Sequence, residues 1–113
     1  MRIAVLVSGN GTNLQALLNA QAGGDLGPAE IALVISNRHG VLALERAASA
    51  NVPSCVIDHK QFAGRAAHEQ AVREVLDSAN PDFIALAGYM RLLSPTFVAA
   101  FLNRIVNIHP SLL

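Results

Sequence analysis

Charge is scarce in this sequence. Asp, Glu, Lys and Arg together make up 14% of its 113 residues, against about 25% in a typical soluble domain. The formal net charge is zero with neutral His, and no run of Lys or Arg stands out. The chain therefore has no electrostatic footprint for nucleic acid or for an anionic membrane surface, and neither is expected as a partner. Any anion must be bound locally. A surface so poor in charge also implies that part of it is meant to be covered, by a further segment or by a partner chain. The single cysteine, Cys55, excludes an internal disulfide framework and fits a reducing compartment, so the expected location is cytoplasmic. Cys55 sits in the apolar run 53–57 and reads as a buried small hydrophobe rather than a nucleophile. No apolar stretch is long enough to cross a membrane. The opening run 1–7 stops at Ser8-Gly9-Asn10, too early for a signal peptide. Asn10-Gly11-Thr12 matches the glycosylation acceptor pattern and is set aside as chance.

Apolar residues, by contrast, are plentiful at 52%. They fall into short continuous runs at 3–7, 31–35 and 83–87, the pattern of strands buried on both faces, and two further strands are read at 52–57 and 104–109. Between them lie segments with helical spacing. Leu14, Leu17 and Leu18 mark a helix over about 12–22, which Gly23-Gly24 ends. Val41, Leu44 and Ala48 mark a second over 41–50. Ala67, Ala71, Val72, Val75 and Leu76 mark the buried face of a third over 65–79. Ser94-Pro95 reads as an N-cap followed by proline at the first helical position, opening a short helix over 96–101. Strict alternation of strand and helix predicts a single α/β domain over 1–113, a parallel sheet of five strands with helices on both faces. Ligands of such sheets sit beyond the carboxyl ends of the strands, where the strand order reverses. No helix follows the last strand, so the expectation is the amino-terminal part of a longer protein.

Three motifs occupy strand ends. The first is Ser8-Gly9-Asn10-Gly11-Thr12-Asn13. Two glycines let the backbone turn tightly and come close to a ligand. The first amides of the following helix have no intrahelical partners, and with the helix dipole they form an anion site that needs no lysine. Thr12 and Asn13 can add side-chain donors. A plain tight turn is the competing reading. The loop is not a Walker loop, because no Gly-Lys-Ser/Thr follows. Nor is it a dinucleotide fingerprint: Leu14 holds the third glycine position, and Ser36-Asn37 stand where an acidic residue would end the second strand.

The second motif is Asn107-Ile108-His109-Pro110. Alternate residues on a strand share a face, so Asn107 and His109 project together. An amide donor beside an imidazole suits an acyl-transfer transition state, and His109 can also move a proton. The alternative is that both merely satisfy polar groups at a strand end. The third is Gly88-Tyr89-Met90-Arg91-Leu92-Leu93. Met90, Leu92 and Leu93 fit either the wall of an apolar pocket for a flat heterocycle or the core. Arg91 is either an exposed cation or a ligand contact. His39, His59 and His68 show no metal-ligand spacing and read as surface or supporting residues.

Read together, these motifs resemble the phosphoribosylglycinamide formyltransferase family along the whole chain. The last motif is shared with related formyltransferases, including the one acting on initiator methionyl-tRNA, and the first is the more discriminating. The resemblance implies a Rossmann-like formyltransferase fold and transfer of a formyl group from 10-formyltetrahydrofolate, the co-substrate, to the amine of glycinamide ribonucleotide in purine synthesis. It implies that Gly11, Thr12 and Asn13 bind the substrate phosphate, that Gly88 and Met90 contact substrate, and that Met90, Arg91, Leu92 and Leu93 run along the folate pocket. It makes Asn107 and His109 catalytic, Asn107 donating to the tetrahedral oxyanion and a protonated His109 stabilising it, with no metal and no covalent enzyme intermediate. The family has a catalytic aspartate, a folate loop and further strands beyond the Asn-x-His strand, and this chain stops at Leu113. Its own turnover is therefore in question, and a homodimer or a complementing carboxyl-terminal half is expected. Two further readings stand beside the transferase: a non-catalytic phosphate-binding module that uses only the first loop, and formyltetrahydrofolate hydrolase, in which water replaces the amine.

Overall fold

The computed structural model describes residues 1–91 and 93–108. Leu92 and His109, both singled out above, lie outside the described residues. The elements in chain order are β1 (Arg2–Val7), α1 (Thr12–Ala22), β2 (Glu30–Ser36), α2 (Leu42–Ser49), β3 (Ser54–Val56), a 3-10 turn (His59–Gln61), α3 (Arg65–Ala79), β4 (Phe83–Leu86), α4 (Pro95–Ala100) and β5 (Ile105–Asn107). All strand pairings are parallel, in the order β3-β2-β1-β4-β5. The expected alternation and parallel sheet are therefore present. The order, which the sequence does not reveal, puts β1 at the centre. From β1 the chain winds outward through β2 to β3, then returns to β4 on the other side. The strand order reverses between β1 and β4, so the crevice beyond their carboxyl ends is where ligands of such sheets bind.

Side chains of β1 alternate between two cores. Val5 and Val7 pack with Leu14 and Leu18 of α1 and with Ala43 and Ala47 of α2. Ala4 and Leu6 pack with Val72 and Leu76 of α3 and with Phe97 and Phe101 at α4. Helices thus cover both faces, two to a side. The β1–β2 register shifts between Ile3 and Ala4, which pair with Ile31 and Leu33. The extra residue, Ala32, switches the sidedness of β2, so Ile31 and Val34 face the same core despite their odd spacing.

The ends of α1 and α3 fall where the apolar spacing places them. β3 is shorter than its apolar run, because Pro53 has no N–H and contributes only its carbonyl, to Val34 N–H at 2.9 Å. Cys55 is half-buried rather than buried, and burial pushes its thiol pKa up, so it has little thiolate to act as a nucleophile.

The first turn of α3 departs from expectation. Ala67 is exposed, while His68 and Glu69 are buried. His68 is not a surface residue: its Nε2 lies 2.8 Å from the Ile57 carbonyl, and its ring meets Phe62 edge-on at 5.6 Å. A carbonyl at the end of a short strand satisfies the imidazole, which lets a polar side chain take a core position. The Glu69 carboxylate reaches the start of α4, where it accepts from Ser94 N–H at 2.8 Å and from Ser94 Oγ. Ser94 Oγ in turn caps α4 by accepting from Phe97 N–H at 3.2 Å, as its place before Pro95 predicts. Ser94→Ala removes the cap and one donor to a buried carboxylate, so unfolding in urea should show a loss of about 2 kcal/mol. Combined with Glu69→Ala it should cost less than the two single losses together. Simple additivity would show that the pair is not coupled.

Candidate functional site

The turn after β1 owes its shape to one glycine. Gly11 is left-handed, φ 78°, and a Cβ there would lie 2.7 Å from Ala43 Cβ on α2. Any side chain at this position is both strained and blocked. Gly11 is also the N-cap of α1, and no side chain caps that helix. The first-turn amides are therefore left to face the loop. The Thr12 N–H donates to Asn10 Oδ1 at 3.3 Å, a long bond that an incoming anion oxygen can replace.

Two hydrogen bonds join this loop to the other two sequence motifs. Ser8, 1% exposed, accepts at Oγ from Met90 N–H at 2.7 Å, tying the loop after β1 to the loop after β4. Asn13 Nδ2 donates to the Ile108 carbonyl at 3.3 Å, tying the start of α1 to the end of β5. Ile108 N–H donates to the Leu86 carbonyl at 3.0 Å, continuing the β4–β5 ladder. Three segments far apart in sequence thus meet at the switch point. The Asn13 amide, expected to face a ligand, spends a donor on holding the strand.

Between these loops lies a cleft of about 270 Å³, walled by residues 8–13, Arg38, Ala87, Gly88 and Met90. A larger hollow of about 460 Å³ lies between α3 and α4, lined by Arg65, Arg73 and Glu69 among others. It contains no glycine loop and lies away from the switch point, so the smaller cleft is the better candidate. Gly88, φ 72°, sits 3.9 Å from Asn13 Nδ2 through its would-be Cβ. Met90 is 82% exposed and Leu93 packs against the α3–α4 core, so the apolar wall expected there divides between cleft and core. Asn107 is exposed at the carboxyl end of β5, opposite Leu86 in register. Ile108 packs into the α1–α2 core, which fits alternation along the strand.

Some contributors were missed. Among the described residues Arg38 is the one cation on the cleft wall; the sequence shows it only as part of a polar turn, and its place at the carboxyl end of β2 was the available signal. Arg91 has a buried Nε with no partner among the described residues. Beside it, burial pushes the Tyr89 phenol up to about 12, with Arg91 drawing it down and Glu69 adding to the rise. Among the described residues no three His, Cys, Asp or Glu come together as a metal site, and no helix is long and apolar enough to cross a membrane.

A parallel sheet with a glycine-built loop at its switch point, tied to a carboxamide-bearing strand, defines an α/β domain with an open cleft beyond the carboxyl ends of its central strands. The Formyl transferase family model matches residues 1–113, so the chain belongs to the formyl transferase family. Phosphoribosylglycinamide formyltransferase of Haemophilus influenzae is 46% identical over 112 residues, which cover 99% of this chain and 52% of that protein. The trifunctional purine biosynthetic protein adenosine-3 of Drosophila pseudoobscura pseudoobscura is 53% identical over 113 residues, 99% of this chain and 8% of that protein. The crystal structure of glycinamide ribonucleotide transformylase 1 from Symbiobacterium toebii superimposes with a TM-score of 0.90 at 44% identity, covering 97% of this chain and 51% of that one. The chain thus spans about half the length of these single-function relatives.

Gly11→Ala should destabilise the fold by about 3 kcal/mol, from left-handed strain plus overpacking. Gly9→Ala, which meets nothing within 4 Å, should cost under about 1 kcal/mol; urea midpoints compare the two. Tyr89 is the only tyrosine and there is no tryptophan, so phenolate absorbance reports this residue alone. Its midpoint should lie near pH 12 in the folded protein and near pH 10 in the denatured chain. The folded pKa is the higher one, so the stability that Tyr89 contributes is fully present below about pH 10. It is lost as pH rises through about 12, and Tyr89→Phe should remove that share of the slope.

Proposed function

We propose that this chain is the amino-terminal part of a phosphoribosylglycinamide formyltransferase, which transfers a formyl group from 10-formyltetrahydrofolate to the amine of glycinamide ribonucleotide. The observation that carries this reading is the pair of hydrogen bonds, Ser8–Met90 and Asn13–Ile108, that bring the anion loop, the Gly88 loop and the Asn107 strand to one switch point. A phosphate monoester on the loop would take the first-turn amides of α1, displacing the Asn10 Oδ1 that accepts from Thr12 N–H, with Gly11, Thr12 and Asn13 around it and Arg38 adding a positive charge. That anchors one end of the substrate and directs its other end along the strand ends, toward β4 and β5.

There the Asn107 carboxamide offers a donor to developing negative charge on the formyl oxygen. His109, two residues on, carries the proton transfers in this reading. The formyl-folate supplies an activated formyl carbon. Met90, Arg91, Leu92 and Leu93 are assigned to hold it. The exposed thioether of Met90 supports that assignment, since it has contact area that a ligand can use. The chain is placed in the cytoplasm, with the carboxyl-terminal half of such an enzyme, or a second copy, covering the outer side of β5.

The test is formyl transfer from 10-formyltetrahydrofolate to glycinamide ribonucleotide by this chain, alone and mixed with the separately produced carboxyl-terminal remainder of a relative. Activity should appear on mixing. Asn107→Ala should lower kcat by about 10²- to 10³-fold, as for removal of an oxyanion donor, and His109→Ala should abolish turnover. Phosphate affinity should be unchanged in both. Halves that associate yet give no turnover would leave a phosphate-binding module. Formate release that needs no amine would make it a hydrolase.

A further inference from the structure

The anion loop is held from behind by α2. The Ala43 N–H donates to the Gly9 carbonyl at 3.3 Å. Arg46 Nε donates to the Asn10 carbonyl at 2.7 Å, and Arg46 Nη1 donates to Gln15 Oε1 at 3.2 Å. Two successive carbonyls of the loop are thus turned toward α2. In a trans peptide the C=O and the following N–H point in opposite directions. The amides of Asn10 and Gly11 must therefore point away from α2. Neither Ala43 nor Arg46 lines the cleft, so the cleft lies on the side to which those amides turn.

We propose that Arg46 is a positioning residue that sets the orientation of the Asn10–Gly11 peptide, and that this orientation makes the loop select a phosphate group. The inference rests on the reading of the loop as a phosphate site. Its basis is chemical. A carbonyl left facing the cleft would repel an anion, whereas an amide attracts one. Gly11, in its left-handed conformation and without a side chain, is the position where such a peptide turns over most easily. The bond from Arg46 opposes that turn. Gln15, on the first full turn of α1, fixes the other arm of the guanidinium, so loop, α1 and α2 are locked through one side chain. Among the described residues Arg46 has no carboxylate within ion-pair distance, so nothing cancels its charge behind the loop.

Substitutions at Arg46 separate orientation from charge. Glutamine places an amide nitrogen where Nε stands and keeps the bond to Asn10 without the charge. Lysine keeps the charge and loses that donor. Inorganic phosphate would be titrated into the isotopically labelled 113-residue chain, with backbone amide and carbonyl shifts as the readout. Arg46→Ala and Arg46→Lys should weaken phosphate binding about tenfold, the worth of one charge-assisted hydrogen bond. Arg46→Gln should stay within about threefold of the parent. Without phosphate, the Asn10 carbonyl resonance should move in the alanine and lysine variants and hold in the glutamine variant, while α3 resonances and the urea midpoint show the fold intact. The inference is overturned if alanine binds like the parent, or if lysine does so while glutamine behaves like alanine. If the parent chain shows no phosphate response at the loop, the phosphate reading fails, and the Asn10 carbonyl shift still decides whether Arg46 orients the peptide.

Discussion

Everything at the carboxyl edge of this sheet depends on the contact between Gly11 and Ala43. With a would-be Cβ 2.7 Å from a methyl group on the neighbouring helix, α1 and α2 come as close as two backbones allow. That closeness puts Arg46 within reach of Asn10 and Ala43 N–H within reach of Gly9. It also fixes where α1 begins, and hence where its unpaired amides stand. The side-chain ties from Ser8 and Asn13 then set the loops after β4 and β5 against that fixed point. A substitution at the contact would move every part of the cleft at once.

In the proposed reading, the chain would hold phosphate with dipoles where other phosphate binders use lysine. Its net charge is zero and its charged content low, yet the cleft is lined by a helix N-terminus and by Arg38. Such a site acts at short range. It gives little long-range steering, so association with an anionic ligand should depend only weakly on salt.

Much of this was legible from the residues, for definite reasons. α1 and α3 are bounded by glycine, asparagine and proline, and their apolar spacing is regular. The strands are β-branched runs of the length that a sheet buried on both faces requires. The glycine loop, the Asn107 strand end and the Gly88 loop each carried a local chemical signal. What stayed hidden is tertiary. The strand order follows from packing across the sheet. Ala32 shifts the β2 register through a single extra residue that apolar letters cannot reveal. His68 and Glu69 are buried because Ile57 and Ser94 offer them partners, and both partners are remote in sequence. Arg46 carries no local signal, since its bond is to a carbonyl 36 residues earlier. Resemblance carried the roles of Met90, Arg91 and Leu93 further than local pattern alone could.

The central place of β1 has a consequence for the birth of the protein. Among the described strands β1 is made first, and β2 soon gives it one neighbour. Its other flank waits for β4, as the bond from Arg2 N–H to Asp82 shows by spanning 80 residues. At about 5–20 residues per second of translation, that flank stays open for roughly 4–16 s. During that time the central strand of the sheet has one unpaired edge, and α3 and α4 have yet to cover its second face. The nascent chain is then most vulnerable to mispairing, and a chaperone or fast local closure of β1-α1-β2 matters most in that interval.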